Sequence, residues 1–317
     1  MNEVVRNLFK LMGLTPVLYS VGIRYASLFV IIISLFQIES FSQDLIRPPI
    51  LGIAHVSYKI GDINKAREFY GKFLGYEEAF TYLNKDGSVS VTFFKVNDRQ
   101  YIEITPTLKP GISDRLNHIC FETTDIELMM QYLASKGIKV PDKLITGRDR
   151  NLHFTVSDPN GHVVEFVQII SGSDHNLAKG KFLNDIRISD RIPHLGVTVK
   201  NIEAANKFYK DILGFSEIWR GGITDSVTSY VNMKIPESTD YIEYMIVDDK
   251  LTEDRLHSAH HICLAVPDLQ KAIDKLHERS VKVKMDLPKI GRNNRWLLNI
   301  YDADGTRIEL MEPHTFK

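Results

Sequence analysis

The feature that most constrains the fold is one sequence plan that recurs four times after the N-terminal region. The first copy contains GIAHVSYKIGDINKAREFYGKFLGYEE and the third contains IPHLGVTVKNIEAANKFYKDILGFSEI. Both have a histidine, then Asp or Asn, then Phe-Tyr and Leu-Gly-aromatic in the same order. The second and fourth copies share His-Ile-Cys, in LNHICFET and AHHICLAV. Agreement over whole segments indicates duplication, so the fold must accommodate four copies of one unit.

Each unit predicts a strand, a helix and three further strands. Asp62 and Asn201 follow a short apolar stretch and suit the N-cap of a helix. Apolar residues then recur at three- and four-residue spacing, which is typical of an amphipathic helix. Gly75 and Gly214 stand where a glycine ends such a helix. The first and third units therefore predict the same strand and helix.

The second and fourth units predict the same order with clearer hairpins. Helices are expected from about Ile126 to Lys136 and from about Leu269 to Arg279. The units end with LHFTVSDPNGHVVEFVQ and WLLNIYDADGTRIELME. In these, turn residues separate two runs rich in β-branched and aromatic residues. Each of these units therefore closes with a β-hairpin.

Burial requires the units to pair, because one helix covers only one face of a small sheet. Two units per domain and two domains per chain use the sequence after the N-terminal region without remainder. We therefore predict an α+β fold with a first domain at residues 49–171 and a second at 191–314. The polar, glycine-containing stretch 172–190 is predicted to be the linker.

Composition narrows the class of partner. The chain has 317 residues, with 39 Lys and Arg against 40 Asp and Glu. Because the net charge is near zero and no basic stripe is present, a nucleic-acid partner is not expected. The two cysteines form no CxxC pair and are too few for a disulfide framework. No stable protein partner is inferred.

The first 42 residues predict a targeting segment. The uncharged run YASLFVIIISLFQI is shorter than the ~20 residues that span a bilayer and suits a signal peptide. Ser40 and Ser42 are small residues at suitable positions for cleavage before Gln43. Export, to the periplasm or the medium, is the expectation. The alternative is an uncleaved membrane anchor.

Histidines open the units and glutamates close them. Residues two apart in a strand share a face, so each histidine and the cysteine after it point the same way. One glutamate in an apolar strand is ordinarily explained by exposure to solvent. Recurrence of His then Glu in four units needs a common cause, and binding of divalent metal by imidazole and carboxylate is the simplest. The eight candidate ligands are His55, Glu103, His118, Glu165, His194, Glu243, His261 and Glu309.

Two kinds of residue near the candidate ligands are interpreted as structural rather than functional. Cys120 and Cys263 are expected to be small hydrophobic filler, although they follow candidate ligands by two residues. His153 lies near the ligand strands, but its counterpart in the second half is Leu297. It is therefore interpreted as an ordinary structural histidine.

Arginines and tyrosines leave two interpretations open. Arg148 and Arg292 stand at equivalent loop positions, where each is either a clamp for a substrate carboxylate or a solvated cation. Tyr101 and Tyr241 precede candidate glutamates by two residues. Each is either a donor to a bound oxygen or a core residue.

The four units resemble the βαβββ modules of the vicinal oxygen chelate superfamily, which includes glyoxalase I, extradiol dioxygenases, epimerases and bleomycin-resistance-type proteins. The motifs that carry the resemblance are HVSYKIGDINKAREFYGKFLGY, DPNGHVVEF, HLGVTVKNIEAANKFYKDILGF and DADGTRIEL. The resemblance implies cup-shaped mixed sheets, each formed by two modules and holding one divalent ion. Its identity, whether Zn, Ni, Mn or Fe, is not fixed by the sequence. The modules pair either in sequence order or by exchange.

The resemblance also implies a small-molecule substrate with adjacent oxygens. A glyoxalase-like isomerase or lyase is the leading expectation, with Glu165 and Glu309 as candidate bases. Extradiol ring cleavage is the alternative, and a non-catalytic binding protein is the third. Two histidines and two glutamates leave an octahedral ion two free positions, enough for the substrate but not for dioxygen as well. This favours proton transfer beside a chelated carbonyl.

Overall fold

Two mixed β-sheets with accompanying helices make up the protein in this computed structural model. The structure describes residues 45–248, 252–253, 257 and 259–315. The predicted targeting segment lies outside the described residues. Within those residues, no helix combines the length and the apolar character needed to cross a membrane.

The first domain contains one eight-stranded sheet. Its strands are β1 (Ile50–Lys59), β2 (Glu78–Leu83), β3 (Val89–Lys95), β4 (Tyr101–Thr105), β5 (Leu116–Thr123), β6 (Ile145–Thr146), β7 (Leu152–Ser157) and β8 (Val163–Gln168). Its helices are α1, which is α-helical over Ile63–Ala66 and π-helical over Arg67–Phe73, and α2 (Ile126–Ser135). A short helix, α3 (Asp174–Leu177), follows the sheet.

The second domain repeats this arrangement with nine strands. They are β9 (His194–Val199), β10 (Ser216–Gly221), β11 (Tyr230–Lys234), β12 (Tyr241–Ile246), β13 (His261–Ala265), β14 (Lys284–Met285), β15 (Lys289–Ile290), β16 (Trp296–Tyr301) and β17 (Arg307–Met311). The helices are α4, which is α-helical over Ile202–Ala205 and π-helical over Asn206–Ile212, and α5 (Leu269–His277).

Strand order shows how the modules pair. The first sheet runs β2-β3-β4-β1-β5-β8-β7-β6, and the second runs β10-β11-β12-β9-β13-β17-β16-β14. The two modules of each domain meet where their first strands pair antiparallel, β1 with β5 and β9 with β13. Modules therefore pair in sequence order, and the α+β fold with two cup-shaped mixed sheets is confirmed.

The predicted helix ends are correct, but the helix interior differs from expectation. The Asp62 side chain accepts from the backbone of Asn64 and Lys65, and Gly75 has a φ of +82°. Between them the chain widens into a π-helical segment at Arg67–Phe73, which buries Phe69, Tyr70 and Phe73. Three- and four-residue apolar spacing does not distinguish this wider helix from an α-helix, so the sequence did not predict it.

The two domains exchange matching hydrogen bonds. The hydroxyl of Tyr70 on α1 donates to Asp302 in the hairpin turn of the second domain at 3.1 Å. The hydroxyl of Tyr209 on α4 donates to Asp158 in the hairpin turn of the first domain at 3.0 Å. The repeated Phe-Tyr and Asp-x-x-Gly motifs therefore recognise each other across the domain boundary.

The segment after the first sheet packs closely against the first domain. His175 on α3 is 5% exposed and contacts the rings of Phe80, Phe93 and Tyr101. Lys95 is fully buried, and its ammonium donates to the backbone carbonyl of Lys181 at 2.9 Å. Residues near the start of the predicted linker therefore form part of the wall of the first domain.

Candidate metal centres

The four middle strands of each sheet carry the predicted ligands. In the first domain these strands are β4, β1, β5 and β8, which lie side by side. Register places Ser57 beside both Glu103 and His118, and Cys120 beside both His55 and Glu165. Because side chains alternate along a strand, this register gathers the ligand side chains on one face.

The structure brings the four predicted ligands of the first domain together. The Nε2 atoms of His55 and His118 are 2.8 Å apart. His55 Nε2 lies 3.5 Å from Glu103 Oε2 and 3.6 Å from Glu165 Oε1. His118 Nε2 lies 3.8 Å from an oxygen of each glutamate. In His55, His118 and Glu165, one ligand atom from each lies within 4.8 Å of the others.

Both glutamates of the first domain are held by neighbouring side chains. The Ser57 hydroxyl donates to Glu103 at 2.7 Å. Glu165 is contacted by His153 Nδ1 at 3.1 Å and by the Cys120 thiol at 3.4 Å. Burial raises the pKa of the Cys120 thiol well above its usual value, so the thiol stays protonated and can donate. These contacts fix the carboxylates that would face an ion.

A second carboxylate system borders the first site. Asp149 lies 3.2 Å from His175 Nδ1 and accepts from the side chain of Asn151 at 2.6 Å. Burial opposes ionisation of Asp149, but the hydrogen bond with His175 lowers its pKa overall. The segment that follows the first sheet therefore contributes a residue to the electrostatics of this site.

The four predicted ligands of the second domain also converge. The Nε2 atoms of His194 and His261 are 3.1 Å apart. His194 Nε2 lies 3.6 Å from Glu309 Oε1, and His261 Nε2 lies 3.6 Å from Glu243 Oε2. In His194, His261 and Glu309, one ligand atom from each again lies within 4.8 Å of the others.

The surroundings of the second site differ from those of the first. Gly196 stands where the first domain has Ser57, and a Cβ there would lie 2.0 Å from the ring of His261. Glycine is therefore required for this ring position. His261 Nδ1 lies 3.0 Å from the carbonyl of Ala259 and 2.5 Å from Arg307 Nη2. The corresponding position in the first domain is Val163, so His118 has no guanidinium from this strand position beside it.

Charge states support a divalent cation at these positions. Burial lowers the pKa of both His55 and His194 to about 3, so each ring is neutral near pH 7 and keeps a lone pair for a metal. Burial and the nearby carboxylate of Glu309 raise the pKa of Glu243 to about 8. Neutral imidazoles together with buried glutamates form a set of nitrogen and oxygen donors that a divalent ion could bind.

His153 makes the pKa of the equivalent glutamates, Glu165 and Glu309, differ between the two sites. Burial opposes ionisation of Glu165, yet its hydrogen bond with His153 and the nearby His118 ring lower its pKa to about 2. The same hydrogen bond raises the pKa of His153. In the second domain Leu297 takes this place, and burial raises the pKa of Glu309.

Each site opens into a cavity. The first is about 390 Å³, and its lining includes His55, His118, both glutamates and His153. The second is about 310 Å³ and is lined by Glu243 and Glu309 together with Trp219 and Tyr230. Cavities of this size accommodate small organic molecules.

The structure shows where the arginines and tyrosines lie whose roles the sequence left open. Arg148 lines the first cavity and stacks over Tyr82, and Arg292 lines the second cavity and donates to Asp225. Tyr101 is fully buried in an aromatic cluster with His175. Tyr241 is 6% exposed and stacks on the ring of His194. Both tyrosines therefore belong to the core.

The structure agrees with the interpretation of the cysteines as buried residues but not with that of His153. Cys120 and Cys263 are free and fully buried in small apolar clusters, as expected of filler, but the Cys120 thiol also contacts Glu165. The interpretation of His153 as an ordinary structural histidine was wrong, because it contacts a candidate ligand and lines the cavity. Because the second domain has Leu297 at this position, comparison of the two halves did not indicate a role for His153, and the two sites differ here.

Two more residues were missed by sequence reasoning. Asp149 lies in TGRDR, where only the arginine was considered, and it lines the first cavity. Arg307 precedes Glu309 by two residues and lines the second cavity. Strand alternation alone was a sufficient signal for Arg307.

Comparison with curated proteins finds similarity to metabolic enzymes. One relative is glyoxalase I from Saccharomyces cerevisiae, 28% identical over 97 residues, which are 31% of this chain and 27% of that protein. Another is mitochondrial methylmalonyl-CoA epimerase from Bos taurus, 23% identical over 127 residues, which are 38% of this chain and 73% of that protein. The match therefore spans about a quarter of the yeast protein and most of the epimerase.

Solved structures share the fold over most of the chain. The 2,3-dioxygenase from Pseudomonas sp. KL28 superposes with a TM-score of 0.63 at 17% identity, covering 86% of this chain and 94% of that one. The Mn(II)-bound glyoxalase from Novosphingobium aromaticivorans gives 0.63 at 15% identity, covering 84% and 83%. The homoprotocatechuate 2,3-dioxygenase of Brevibacterium fuscum in complex with 3,4-dihydroxyphenylacetate gives 0.61 at 17% identity, covering 86% and 83%.

A family profile matches both halves of the chain. The profile describes the Glyoxalase/Bleomycin resistance protein/Dioxygenase superfamily and matches residues 52–166 and 191–310. These two stretches make up more than half of the sequence and coincide with the two sheets. The chain therefore belongs to the glyoxalase, bleomycin resistance protein and dioxygenase superfamily, also called the vicinal oxygen chelate superfamily, and carries two tandem domains of that family.

Proposed function

We propose that this protein is a metal-dependent isomerase or lyase of the glyoxalase type. Its substrate would be a small molecule with adjacent oxygens, and the reaction would move a proton beside a carbonyl. The observation that carries the proposal is the convergence of two imidazoles and two carboxylates in each domain, where both carboxylates line a cavity. The similarity to glyoxalase I and to an epimerase supports the same class of chemistry.

The ligands in the first domain would be His55, Glu103, His118 and Glu165. A divalent ion bound there would polarise a chelated carbonyl and make the adjacent C–H bond more acidic. Glu165 is the candidate base because its carboxylate lies 3.6 Å from the candidate ligand His55 and is contacted by His153, which orients it.

In the second domain the ligands would be His194, Glu243, His261 and Glu309. Glu309 is the candidate base by its equivalence to Glu165 in strand register. Leu297 leaves this glutamate without a histidine partner of the His153 kind. The second site would therefore lack the side chain that orients the candidate base in the first site.

Extradiol ring cleavage is the second candidate. In each domain the tightest group is two histidines and one glutamate, which is the ligand set of non-haem iron oxygenases. Against it, Glu103 places a fourth donor 3.5 Å from His55. This second carboxylate would occupy a position that oxygen chemistry needs open.

One experiment separates these reactions. The protein is loaded anaerobically with iron(II), mixed with a panel of α-hydroxy carbonyls and catechols in deuterated water, and then exposed to air. Isomerase chemistry predicts deuterium exchange beside the carbonyl without oxygen uptake. Exchange should be abolished in a Glu165→Gln, Glu309→Gln double variant and kept in Glu122→Gln, whose glutamate pairs with Arg99. Stoichiometric oxygen uptake with a yellow ring-cleavage product would refute the isomerase proposal.

A non-catalytic binding protein remains the third candidate. It predicts that the panel binds to the metal-loaded protein without exchange or oxygen uptake. Titration calorimetry on the same samples distinguishes binding without turnover from no binding.

We also propose that the protein is exported. The proposal rests on the short apolar run and on Ser40 and Ser42, all within the segment before the described residues. N-terminal sequencing of protein from its native source should give a chain that begins near Gln43. A membrane-bound chain that retains Met1 would instead indicate an anchor.

A further inference from the structure

The cavity of the second domain differs in charge from that of the first. The first cavity is lined by three carboxylates and one guanidinium, Glu103, Asp149, Glu165 and Arg148. The second is lined by two carboxylates and three cations, Glu243, Glu309, Lys289, Arg292 and Arg307. Addition of a divalent ion to each would leave the first cavity near neutral and the second clearly positive.

Strand register shows that this difference arises at matched positions. Val163 leads into β8 as Arg307 leads into β17, each two residues before the candidate base. Ile145 pairs with His153 on the neighbouring strand, and Lys289 pairs with Leu297 in the same way. The second domain thus has a cation at two positions where the first has an aliphatic residue.

The guanidinium of Arg307 lacks sufficient acceptors. Its Nη2 donates to the carbonyl of Ala259 at 2.7 Å, while its buried Nε has no hydrogen-bond partner among the described residues. Nη2 also lies 2.5 Å from His261 Nδ1. For His261 to bind a metal through Nε2, Nδ1 must carry the proton, so two N–H groups would then face each other. An anionic acceptor in the cavity would relieve this conflict.

The other cations have different surroundings. Arg292 donates to Asp225 at 2.5 Å, so part of its guanidinium already has a carboxylate acceptor. Lys289 is exposed on the short edge strand β15 and lines the same cavity. Trp219 and Tyr230 supply an aromatic part of the lining of the same cavity. Lys289 and Arg307 are therefore the two cations available to a ligand.

We propose that the second domain binds a substrate that carries a carboxylate on an aromatic or other apolar body, in addition to its adjacent oxygens. Arg307 and Lys289 bind the carboxylate, Trp219 and Tyr230 contact the apolar body, and the adjacent oxygens face the candidate metal ligands. The inference rests on the proposed metal-dependent function and specifies the ligand class of its second site. The first domain has no matching preference.

The test compares two catechols that differ in the carboxylate. Zinc-loaded protein is titrated calorimetrically with 3,4-dihydroxyphenylacetate and with 4-methylcatechol, since zinc avoids oxygen chemistry. A His55→Ala, His118→Ala background silences the first domain, and a His194→Ala, His261→Ala background silences the second. Zinc content is measured before any catechol is added.

With only the second domain active, 3,4-dihydroxyphenylacetate should bind at least about tenfold more tightly, the factor that one charge-assisted hydrogen bond supplies. Lys289→Gln and Arg307→Gln together should reduce this preference to within about twofold, because they weaken the binding of 3,4-dihydroxyphenylacetate. Lys284→Gln, on the neighbouring strand β14 and outside the cavity, should keep the preference. With only the first domain active, the two probes should bind alike.

Equal affinity of the two catechols for the zinc-loaded second domain would overturn the inference and leave the metal function standing. Absence of zinc from that domain would overturn both, and the metal measurement reveals this separately. If Arg307→Gln loses zinc because it adjoins His261, Lys289→Gln alone must still weaken binding of the carboxylate probe several-fold. Retention of the full preference in Lys289→Gln would then refute the inference.

Discussion

Replacement of His153 by leucine should weaken metal binding in the first domain selectively. The substitution installs the residue that the second domain has at this position, Leu297, so it should fit the fold. It removes the 3.1 Å contact between His153 Nδ1 and Glu165 Oε2. A hydrogen bond to a charged group contributes about 1.5–3 kcal/mol, which corresponds to about 10- to 100-fold in affinity. Loss of a partner that orients a metal ligand has a similar cost.

The assay is competition with a chelator in the background where His194→Ala and His261→Ala disable the second site. The zinc affinity of His153→Leu should fall by about 10- to 100-fold, whereas the midpoint of urea unfolding of the apo protein should change little. The reciprocal Leu297→His substitution should strengthen zinc binding in the second domain. A change of less than about threefold in His153→Leu would refute the view that His153 positions Glu165.

Three further predictions follow from the pairing of modules and domains. Glu165→Ala and Glu309→Ala should each reduce the metal content from about two ions per chain to about one, because each domain completes its own site; elemental analysis showing loss of both ions or of neither would contradict this. Tyr70→Phe should reduce the free energy of unfolding by about 1–3 kcal/mol, because it removes a buried donor to Asp302; a change below about 0.5 kcal/mol in denaturant unfolding would show that the bond contributes little. Burial raises the pKa of Asp302, so its stabilising contribution is full below the unfolded value near ~3.9 and is lost as the pH rises through the folded value. Asp302→Asn should therefore gain stability relative to the native protein as the pH rises above about 4, and a difference independent of pH would contradict this sign.

The fold and the convergence of the histidines and glutamates could be predicted from sequence because both depend on local rules. Alternation along a strand places residues two apart on one face. Because the unit is repeated four times, the recurrence of His and Glu could be distinguished from a chance occurrence of single residues. The Asp62 cap and the Gly75 terminus mark the helix independently of tertiary structure. These signals need no knowledge of which strands are neighbours.

The order of module pairing was not accessible in the same way. Paired or exchanged modules present identical strands to each other, so the sequence satisfies both arrangements. Only the pairing of β1 with β5 decides that His55 meets His118 rather than His261. The bonds between Tyr70 and Asp302 and between Tyr209 and Asp158 likewise arise from tertiary packing between residues far apart in sequence.

The duplication preserved the ligands but not their surroundings, and this has a chemical consequence. Strand register fixes where the imidazoles and carboxylates meet, and it is the same in both domains. Reactivity depends on the groups that hold and charge those ligands. The first domain has His153 in contact with the candidate base Glu165, where it orients the carboxylate. The second has Arg307 beside its histidine, which favours recognition of an anion. Two sites with equivalent candidate ligands can therefore differ in activity, because membership of the family does not determine what each site does.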